Sequence, residues 1–232
     1  MVSDGTDLDD DGSWDYKNET VASVEAMDWN SDGTFDHYTG LRVFSLKADH
    51  HPNGWESETN HIWILEVWDW NSDGTPNAVH AVVVTEVMWD NNTDGHADTK
   101  WMDGKLWHGV DFNDDQNMER HVYFEINDFQ SDDDADGNIE FSITEVTIHT
   151  RNTTLQGNVQ HEYFFHAKGV KANVSAAGVP QYTNDTVVAY ESWNTSQRQE
   201  THALVVIVEK HDHDRDGTVE AETVHLFADN RS

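Results

Sequence analysis

The chain has 232 residues, of which 45 are acidic and only 13 are lysine or arginine, so its formal net charge is −32. It offers no basic surface with which to neutralise phosphates, which excludes a nucleic-acid-binding protein. It also has no cysteine, which excludes disulfides, thiol nucleophiles and zinc–thiolate sites. With 36% apolar and 11% aromatic residues, the chain can still bury enough surface to fold.

The negative charge has two explanations, which are compatible with each other. A domain this acidic repels itself in dilute salt, whereas molar salt shortens the Debye length from about 10 Å to about 3 Å. The composition is therefore typical of a halophilic protein. Alternatively, bound divalent cations neutralise an acidic surface.

Neither end of the chain nor its interior predicts a membrane segment or a leader. No stretch approaches the roughly 18 apolar residues of a spanning helix. The start, "MVSDGTDLDDDG", lacks the basic flank and apolar run of a secretory leader. If Met1 is the natural start, we expect that the chain is not exported by the usual route.

Short segments rich in Val, Ile, Thr and aromatic residues follow one another along the chain. Many alternate apolar with polar residues, which is typical of strands with one buried face, and no segment keeps a helical period. We predict eleven strands, at 21–28, 35–46, 61–69, 78–89, 99–108, 120–127, 138–149, 159–174, 186–193, 201–211 and 218–227. Two segments, 175–185 and 192–200, are predicted to be surface loops. The expected fold is one all-β domain over residues 1–232, a sandwich or barrel with acidic loops at its strand ends.

Six of the connections share the pattern D-x-[DN]-x-D-G-x-x-[DEN]. The clearest copies are "DWNSDGTFD" (28–36) and "DWNSDGTPN" (69–77). The candidate metal ligands at positions 1, 3, 5 and 9 of the six copies are Asp7, Asp9, Asp11, Asp15, Asp28, Asn30, Asp32, Asp36, Asp69, Asn71, Asp73, Asn77, Asp90, Asn92, Asp94, Asp98, Asp132, Asp134, Asp136, Glu140, Asp212, Asp214, Asp216 and Glu220. A seventh copy, "DFNDDQNME" (111–119), is degenerate because Gln116 replaces the glycine.

This spacing has a physical reason. Carboxylates at alternate positions converge where the backbone curls sharply, and glycine at position 6 permits the curl. A hard cation takes six to eight oxygens, so Ca²⁺ is the predicted ion, with Mg²⁺ and Na⁺ as alternatives. The loops at 28–36, 132–140 and 212–220 are the strongest candidates, since each offers four side-chain ligands. The alternative is that these segments are ordinary hydrated Asp-Gly turns.

The loops are not predicted to be EF-hands. An EF-hand needs flanking helices and a bidentate Glu at position 12. None of the six copies has Glu there, and strands flank most of the loops. The pattern resembles the DxDxDG calcium loops of β-rich extracellular and viral proteins, in which the bound ion is a static clamp.

No catalytic site is predicted. In "HEYFFH" (161–166) the second His comes one residue later than in the zinc motif H-E-x-x-H, and on a strand His161 and His166 would face opposite sides. Glycosidases need two carboxylates in one cleft, for which Glu66, Glu86, Glu125 and Glu145 are the strand candidates. A strand-face Glu is more often solvated. The ten tryptophans can form a sugar-stacking platform, but core packing or an interface is their commoner use.

The length, acidity, lack of cysteine, β-rich pattern and start "MVSDGTDLDDDG" together resemble one family. This is the larger major capsid protein of halophilic archaeal viruses with an internal membrane, the sphaerolipovirus group. The resemblance implies a vertical jelly-roll with extra strands forming a tower, in an icosahedral virion capsid. It also implies a smaller jelly-roll capsid protein as partner, self-association in capsomers, contact with the internal membrane, and no enzymatic activity.

The alternative is a secreted or cell-surface calcium-binding β-sandwich, such as a carbohydrate-binding or adhesin module. The tryptophans and the acidic loops favour it, as do six N-x-[ST] sequons. The missing leader opposes it.

Overall fold

A computed structural model describes residues 2–8, 10, 12, 14–49, 56–134, 136–175 and 177–231. These residues contain β-strands and no helix, so the predicted all-β class is confirmed. The strands are β1 (Val2–Thr6), β2 (Tyr16–Met27), β3 (His37–Ala48), β4 (Ser57–Trp68), β5 (Ala78–Trp89), β6 (Thr99–Val110), β7 (Arg120–Ser131), β8 (Phe141–Thr153), β9 (Val159–Val174), β10 (Pro180–Asn194), β11 (Gln199–His211) and β12 (Ala221–Arg231).

All twelve strands belong to one antiparallel sheet, in which their order is their order along the chain. The register is regular, with one irregularity beside Asn152 and Thr153 on β8. Because each strand reverses direction, successive connections lie alternately at the two ends of the sheet. We call the end formed by connections after odd-numbered strands the first rim, and the other end the second rim.

The sheet is built from a repeating unit of about 21 residues. From β2 to β7 every strand has twelve residues, and successive strands begin 20 or 21 residues apart. Most connections between them have nine residues. The two near-identical loops at 28–36 and 69–77 therefore lie two units apart, on the same rim.

The eleven predicted strands are found as β2 to β12, with shifted ends. Both predicted loops are shorter than expected. The one at 175–185 ends where β10 begins, at Pro180, and the one at 192–200 is reduced to the residues between Asn194, the end of β10, and Gln199, the start of β11. The sequence pattern did not predict β1, whose "VSDGT" has no apolar alternation. Its strand conformation comes from pairing with β2, from Val2 opposite Thr20 to Thr6 opposite Tyr16.

The jelly-roll and the tower are not seen in the described residues. A jelly-roll packs two sheets together and joins them through connections that cross between strands. Here every connection joins neighbours in a single sheet. Apolar alternation establishes that a strand has a buried face, but not which strand lies beside it, so the sequence pattern could not separate the two architectures.

The sheet lacks the apolar core of an ordinary globular domain. Among the described residues the buried hydrophobic side chains are Ala78 and Val110. Most other strand residues are half-buried, because neighbouring strands cover them from the sides and no second layer covers them from above. The described residues also contain no helix long and apolar enough to cross a membrane.

Candidate cation-binding loops

Seven nine-residue connections share one backbone conformation. Position 6 of all seven lies in the left-handed region, which favours glycine, and so does position 4 of the six loops in which that residue is described. At position 4 the φ angles are 62° at Asp10, 63° at Ser31, 57° at Ser72, 60° at Thr93, 64° at Asp114 and 60° at Arg215. At position 6 the glycines have φ of 88–93°, and Gln116 takes the same place with φ of 69°. The sequence pattern predicted the turn at position 6 but not the one at position 4.

The residue at position 9 closes each loop by accepting a hydrogen bond from the backbone N–H of position 2. Asp36 accepts from Trp29 at 2.5 Å, and Glu119 accepts from Phe112 at 2.7 Å. The same bond joins Leu8 to Asp15, Trp70 to Asn77, Asn91 to Asp98, Asp133 to Glu140 and His213 to Glu220.

The carboxylate at position 1 accepts from the backbone N–H of position 6. In loop 132–140 the nitrogen of Gly137 lies 2.7 Å from Asp132 Oδ2, and the nitrogen of Asp136 lies 3.2 Å from Asp132 Oδ1. The remaining loops make the first bond between Gly12 and Asp7, Gly33 and Asp28, Gly74 and Asp69, Gly95 and Asp90, Gln116 and Asp111, and Gly217 and Asp212. These bonds fix each carboxylate in the curl.

The buried polar side chains of the described residues all belong to these loops, at position 1 or 9. They are Asp15, Asp36, Asp69, Asn77, Asp90, Asp98, Asp111, Glu119, Asp132 and Asp212. Asp90 and Asp111 are fully buried, with 0% of their surface exposed. Burying a charged group is costly unless it is paired or coordinates a metal. The burial is therefore compatible with loops that can hold a cation.

Three loops bring three or four carboxylates close enough to hold one ion. The ligand oxygens lie within 4.8 Å of one another in each of the groups Asp132–Asp134–Asp136–Glu140, Asp212–Asp214–Asp216–Glu220 and Asp111–Asp115–Glu119. The first two match predicted candidates, and these acidic clusters can hold a metal ion. The third was set aside in the sequence because Gln116 replaces glycine. The 21-residue period, which places a loop at 111, is the signal that would have found it.

The loop at 212–220 contains a further, independent feature. Asp212 is 5% exposed, and its Oδ1 atom is buried with no hydrogen-bond partner. In loop 132–140 the nitrogen of Asp136 reaches the equivalent oxygen, but here the nitrogen of Asp216 donates to Asp214 Oδ1 instead, at 3.2 Å. A buried carboxylate oxygen without a donor fits a metal ligand.

The four carboxylates of loop 132–140 repel one another. The pKa of Glu140 is raised above its ordinary value of 4.5, first by burial and then by the charges of Asp134, Asp132 and Asp136, against a hydrogen bond from Asp133 that lowers it. A bound cation would relieve this repulsion, because an opposite charge favours the ionised form.

The carboxylates of loop 28–36 are arranged differently from those of loops 132–140 and 212–220. Its carboxylates do not form a cluster of this kind among the described residues. The hydroxyl of Ser72, on the next loop of the second rim, donates to Asp36 Oδ1, while Asp36 Oδ2 accepts from Trp29. Both oxygens of Asp36 are thus engaged by protein donors. The loop also binds its neighbour through Asn30 and Ser72, at 2.8 Å.

The second rim links its loops into a continuous row. The N–H of Asp69 donates to the carbonyl of Asp36 at 2.9 Å, and the N–H of Asp111 donates to that of Asn77 at 2.8 Å. Asn71 also donates to Asp114 Oδ2 at 2.7 Å. Hydrogen bonding with Asp73 raises the pKa of Asp114, while hydrogen bonding with Asp114 and with the backbone of Thr75 lowers the pKa of Asp73.

The predicted ligands of loops 7–15, 69–77 and 90–98 do not form a group of three carboxylates among the described residues. Asp9 and Asp11 lie outside the described residues, so loop 7–15 is defined by Asp7 and Asp15. In loops 69–77 and 90–98 the pattern of hydrogen bonds is the same, but they form no group of three carboxylates within the same distance. In loop 69–77 two of the four predicted ligands are asparagines, which offer amide oxygens.

The charge of the chain is concentrated at the rims. The twelve strands contain 17 of the 45 acidic residues but 11 of the 13 lysines and arginines, so they carry a net charge of −6 and the remaining segments carry −26. An acidic coat spread evenly over the surface would not give this distribution. The negative charge is therefore concentrated in the segments that contain the candidate cation-binding loops.

The histidines of "HEYFFH" lie on opposite faces of β9, as predicted. His161 Nε2 lies 3.1 Å from Glu191 on one face, and His166 Nε2 lies 3.3 Å from Glu145 on the other. The glycosidase candidates are divided in the same way. Glu66 and Glu86 share the face of His161, while Glu125 and Glu145 share that of His166.

At least two tryptophans cover glycines of the sheet. A side chain added at Gly40 would come within 2.9 Å of the Trp63 ring, and one added at Gly109 within 2.7 Å of the Trp107 ring. Large rings lying over glycine fill the gap that the missing side chain leaves. These two rings therefore pack against the sheet.

Comparison of the chain with protein-family models, with curated proteins and with solved structures finds no match.

Proposed function

We propose that the chain is a non-catalytic structural protein whose single β-sheet is stabilised by calcium ions bound in its strand-end loops. The observation that carries the proposal is the buried, unpartnered Oδ1 of Asp212 within a group of four carboxylates. Leaving such an oxygen without a partner would cost more than the roughly 1–3 kcal/mol of an unsatisfied neutral group. A cation removes that cost.

Calcium suits these loops better than magnesium or sodium. Ca²⁺ accepts six to eight oxygens in flexible geometry, whereas Mg²⁺ demands a near-ideal octahedron and keeps several waters. The loops offer up to four carboxylates on a tight curl, with backbone carbonyls beside them. Two positive charges also offset more of the repulsion among Asp132, Asp134, Asp136 and Glu140 than the single charge of sodium does.

The position of the loops supports a structural role. Each joins the ends of two paired strands, and in six of the seven loops position 1 or 9 is hydrogen-bonded to a neighbouring connection on the same rim, as the N–H of Asp132 is to the carbonyl of Asp98 at 2.8 Å. In loop 212–220 the N–H of Asp212 donates to the carbonyl of Gln181, at the start of β10, at 3.0 Å. An ion in one loop therefore holds two strands directly and steadies the neighbouring hairpin. Such an ion would stabilise the sheet and not serve as a signal.

Two settings suit a cation-stabilised sheet. One is the virion capsid that the family resemblance implies, where carboxylate-rich subunits pack together beside a smaller capsid protein and an internal membrane. The other is a cell-surface or secreted module. Mass spectrometry of native source material across a density gradient in molar salt separates them. Recovery with lipid-containing particles at high copy number supports the capsid, and recovery as soluble glycosylated chain supports the surface module.

Isothermal titration calorimetry tests the calcium proposal itself. Calcium is titrated into the chelator-stripped chain in 0.15 M and in 3 M NaCl. We expect several binding events for the wild type and the loss of one in Asp212→Asn. The matched control is Asp185→Asn, which changes the same charge on an exposed strand position and should retain all of them. Absence of any binding below millimolar calcium in both salts would overturn the proposal.

A further inference from the structure

The two faces of the sheet differ sharply in their central rows. In an antiparallel sheet, directly paired residues lie on the same face, so each row can be followed from strand to strand. One row begins at Val21 on β2, passes through Val84 on β5 and Ile126 on β7, and ends at Leu226 on β12. The next row on this face runs from Leu41 on β3 to Ala228 on β12.

From β3 to β12 neither row contains a polar or charged side chain, and on β2 the second row ends at Ser23, opposite Leu41. We call these two rows the apolar band. The opposite face is interrupted at the same level by Arg42, Lys105 and Glu125, with Lys105 Nζ 3.5 Å from Glu125 Oε1. Only one face of the sheet is therefore suited to dry packing.

The apolar band is not covered within the chain. No side chain in it is buried, and Ile62 and Leu226 are 37% and 65% exposed. Strands are about 4.8 Å apart and same-face rows about 7 Å apart, so the band is roughly 50 Å long and 14 Å wide, or about 700 Å². This exceeds the roughly 300–600 Å² of the largest apolar patch on a typical monomer.

We propose that the apolar band is the interface of a face-to-face dimer, with a second copy of this chain as its occupant. Two bands pressed together bury about 1,400 Å², within the roughly 1,200–2,000 Å² of stable interfaces. A second copy presents the same two rows at the same strand spacing, so the side chains can interdigitate as in stacked sheets about 10 Å apart. A two-fold axis in the plane between the sheets relates the copies.

The charge distribution permits this contact despite the net charge of −32. The face that carries the apolar band has six lysines and arginines against ten acidic residues. Most of the negative charge lies on the rims, outside the proposed contact. The inference depends on the composition of the face and not on cation binding in the loops.

Sedimentation equilibrium of the purified chain, in calcium and molar salt, tests the dimer. The wild type should sediment as twice the 26.5 kDa chain. Ile126→Lys places a charge in the middle of the band and should weaken association at least 100-fold. Asn127→Lys makes the same charge change on the next residue of β7, on the opposite face, and should leave the dimer intact.

Three results would overturn the dimer. They are a folded wild type that is monomeric at tens of micromolar, a dimer that survives Ile126→Lys, and one that Asn127→Lys dissociates equally. If Ile126→Lys does not fold, carbene footprinting of the wild type decides instead. Labelling of Val146 should rise on dilution to nanomolar concentration while that of its neighbour Thr147 stays constant, and unchanged Val146 labelling would contradict the contact. Calcium calorimetry on the same samples reports the loops separately.

Discussion

The strand-end loops and the strand faces bury opposite kinds of side chain. In the loops, Asp90 and Asp111 are completely buried, whereas on the strands only Ala78 and Val110 are buried among the described hydrophobic residues. An ordinary domain shows the reverse, with apolar groups inside and carboxylates in water. The single sheet thus has two ordered polar rims and an uncovered middle.

This difference indicates where the stability of the chain comes from. A sheet without a second layer buries too little apolar surface to offset the entropy of ordering its strands. The missing stabilisation has two sources in our proposals, cations at the rims and a second copy over the apolar band. The predictions below test the rims against the faces, beginning with the largest effect.

Chelation should have the largest effect. Each site filled at 100 times its dissociation constant adds about 2.7 kcal/mol, so three sites contribute roughly 8 kcal/mol. At about 2–4 °C per kcal/mol for a chain of this size, removing calcium should lower Tm by roughly 15–30 °C. Differential scanning calorimetry with and without chelator in 0.15 M NaCl measures it. If 3 M NaCl without calcium restores Tm completely, screening explains the stability and specific binding does not.

Truncating a buried carboxylate should cost more than truncating an apolar strand residue. Asp90 accepts hydrogen bonds from Gly95 at 2.8 Å and Asp94 at 3.3 Å. In calcium, Asp90→Ala should lower the free energy of unfolding by roughly 3 kcal/mol, because charge-assisted bonds are lost. Val83→Ala, on the half-buried face away from the apolar band, should cost about 1 kcal/mol. Urea unfolding measures both losses. If Val83→Ala costs more than Asp90→Ala, the strand faces contribute more to stability than the loops do.

Two separate substitutions at position 6, one in loop 111–119 and one in loop 132–140, should change the free energy of unfolding in opposite directions. Gln116 has φ of 69°, where a non-glycine residue is strained by about 1–2 kcal/mol, so Gln116→Gly should stabilise the chain by about 1 kcal/mol. Gly137 has φ of 88°, and Gly137→Ala should destabilise it by a similar amount. Both variants are measured by urea unfolding in calcium. Destabilisation by Gln116→Gly would show that the Gln116 side chain supports its loop.

The smallest expected effect is on pH dependence. Because burial and neighbouring carboxylates raise the pKa of Glu140, it takes up a proton at a higher pH than an ordinary glutamate does. Protonation of Glu140 relieves the repulsion among the carboxylates of the cation-free loop. It also weakens calcium binding, because calcium binds the ionised carboxylate. Calcium affinity should therefore fall a few-fold between pH 7 and pH 5. Glu140→Gln should bind more weakly at pH 7 but with a flatter profile, and an equally steep profile would exclude Glu140 as the titrating ligand.

The sequence predicted local features well and the relations between loops poorly. Asp-x-Asp-x-Asp-Gly spacing correctly predicted the curl of loops 132–140 and 212–220, because a loop's own backbone N–H groups orient its carboxylates. It did not predict that in loop 28–36 the hydroxyl of Ser72, 36 residues away, donates to Asp36. It set aside loop 111–119 because of Gln116, although this residue takes the same left-handed conformation as the glycines and its N–H donates to Asp111 as theirs do to the equivalent Asp.

By itself the sequence determined eleven of the twelve strands, the connections between them and the acidity of the turns, because alternation and turn chemistry act over a few residues. Tertiary structure alone decided that the twelve strands form one sheet in chain order, since apolar alternation does not identify a strand's neighbour. It also decided that Val84, Gly104 and Ile126 share one row. Register brings together residues some 20 positions apart, and only that pairing reveals a continuous apolar band. The missing donor at Asp212 Oδ1 is also visible only in the structure, because the N–H of Asp216 donates to Asp214 instead.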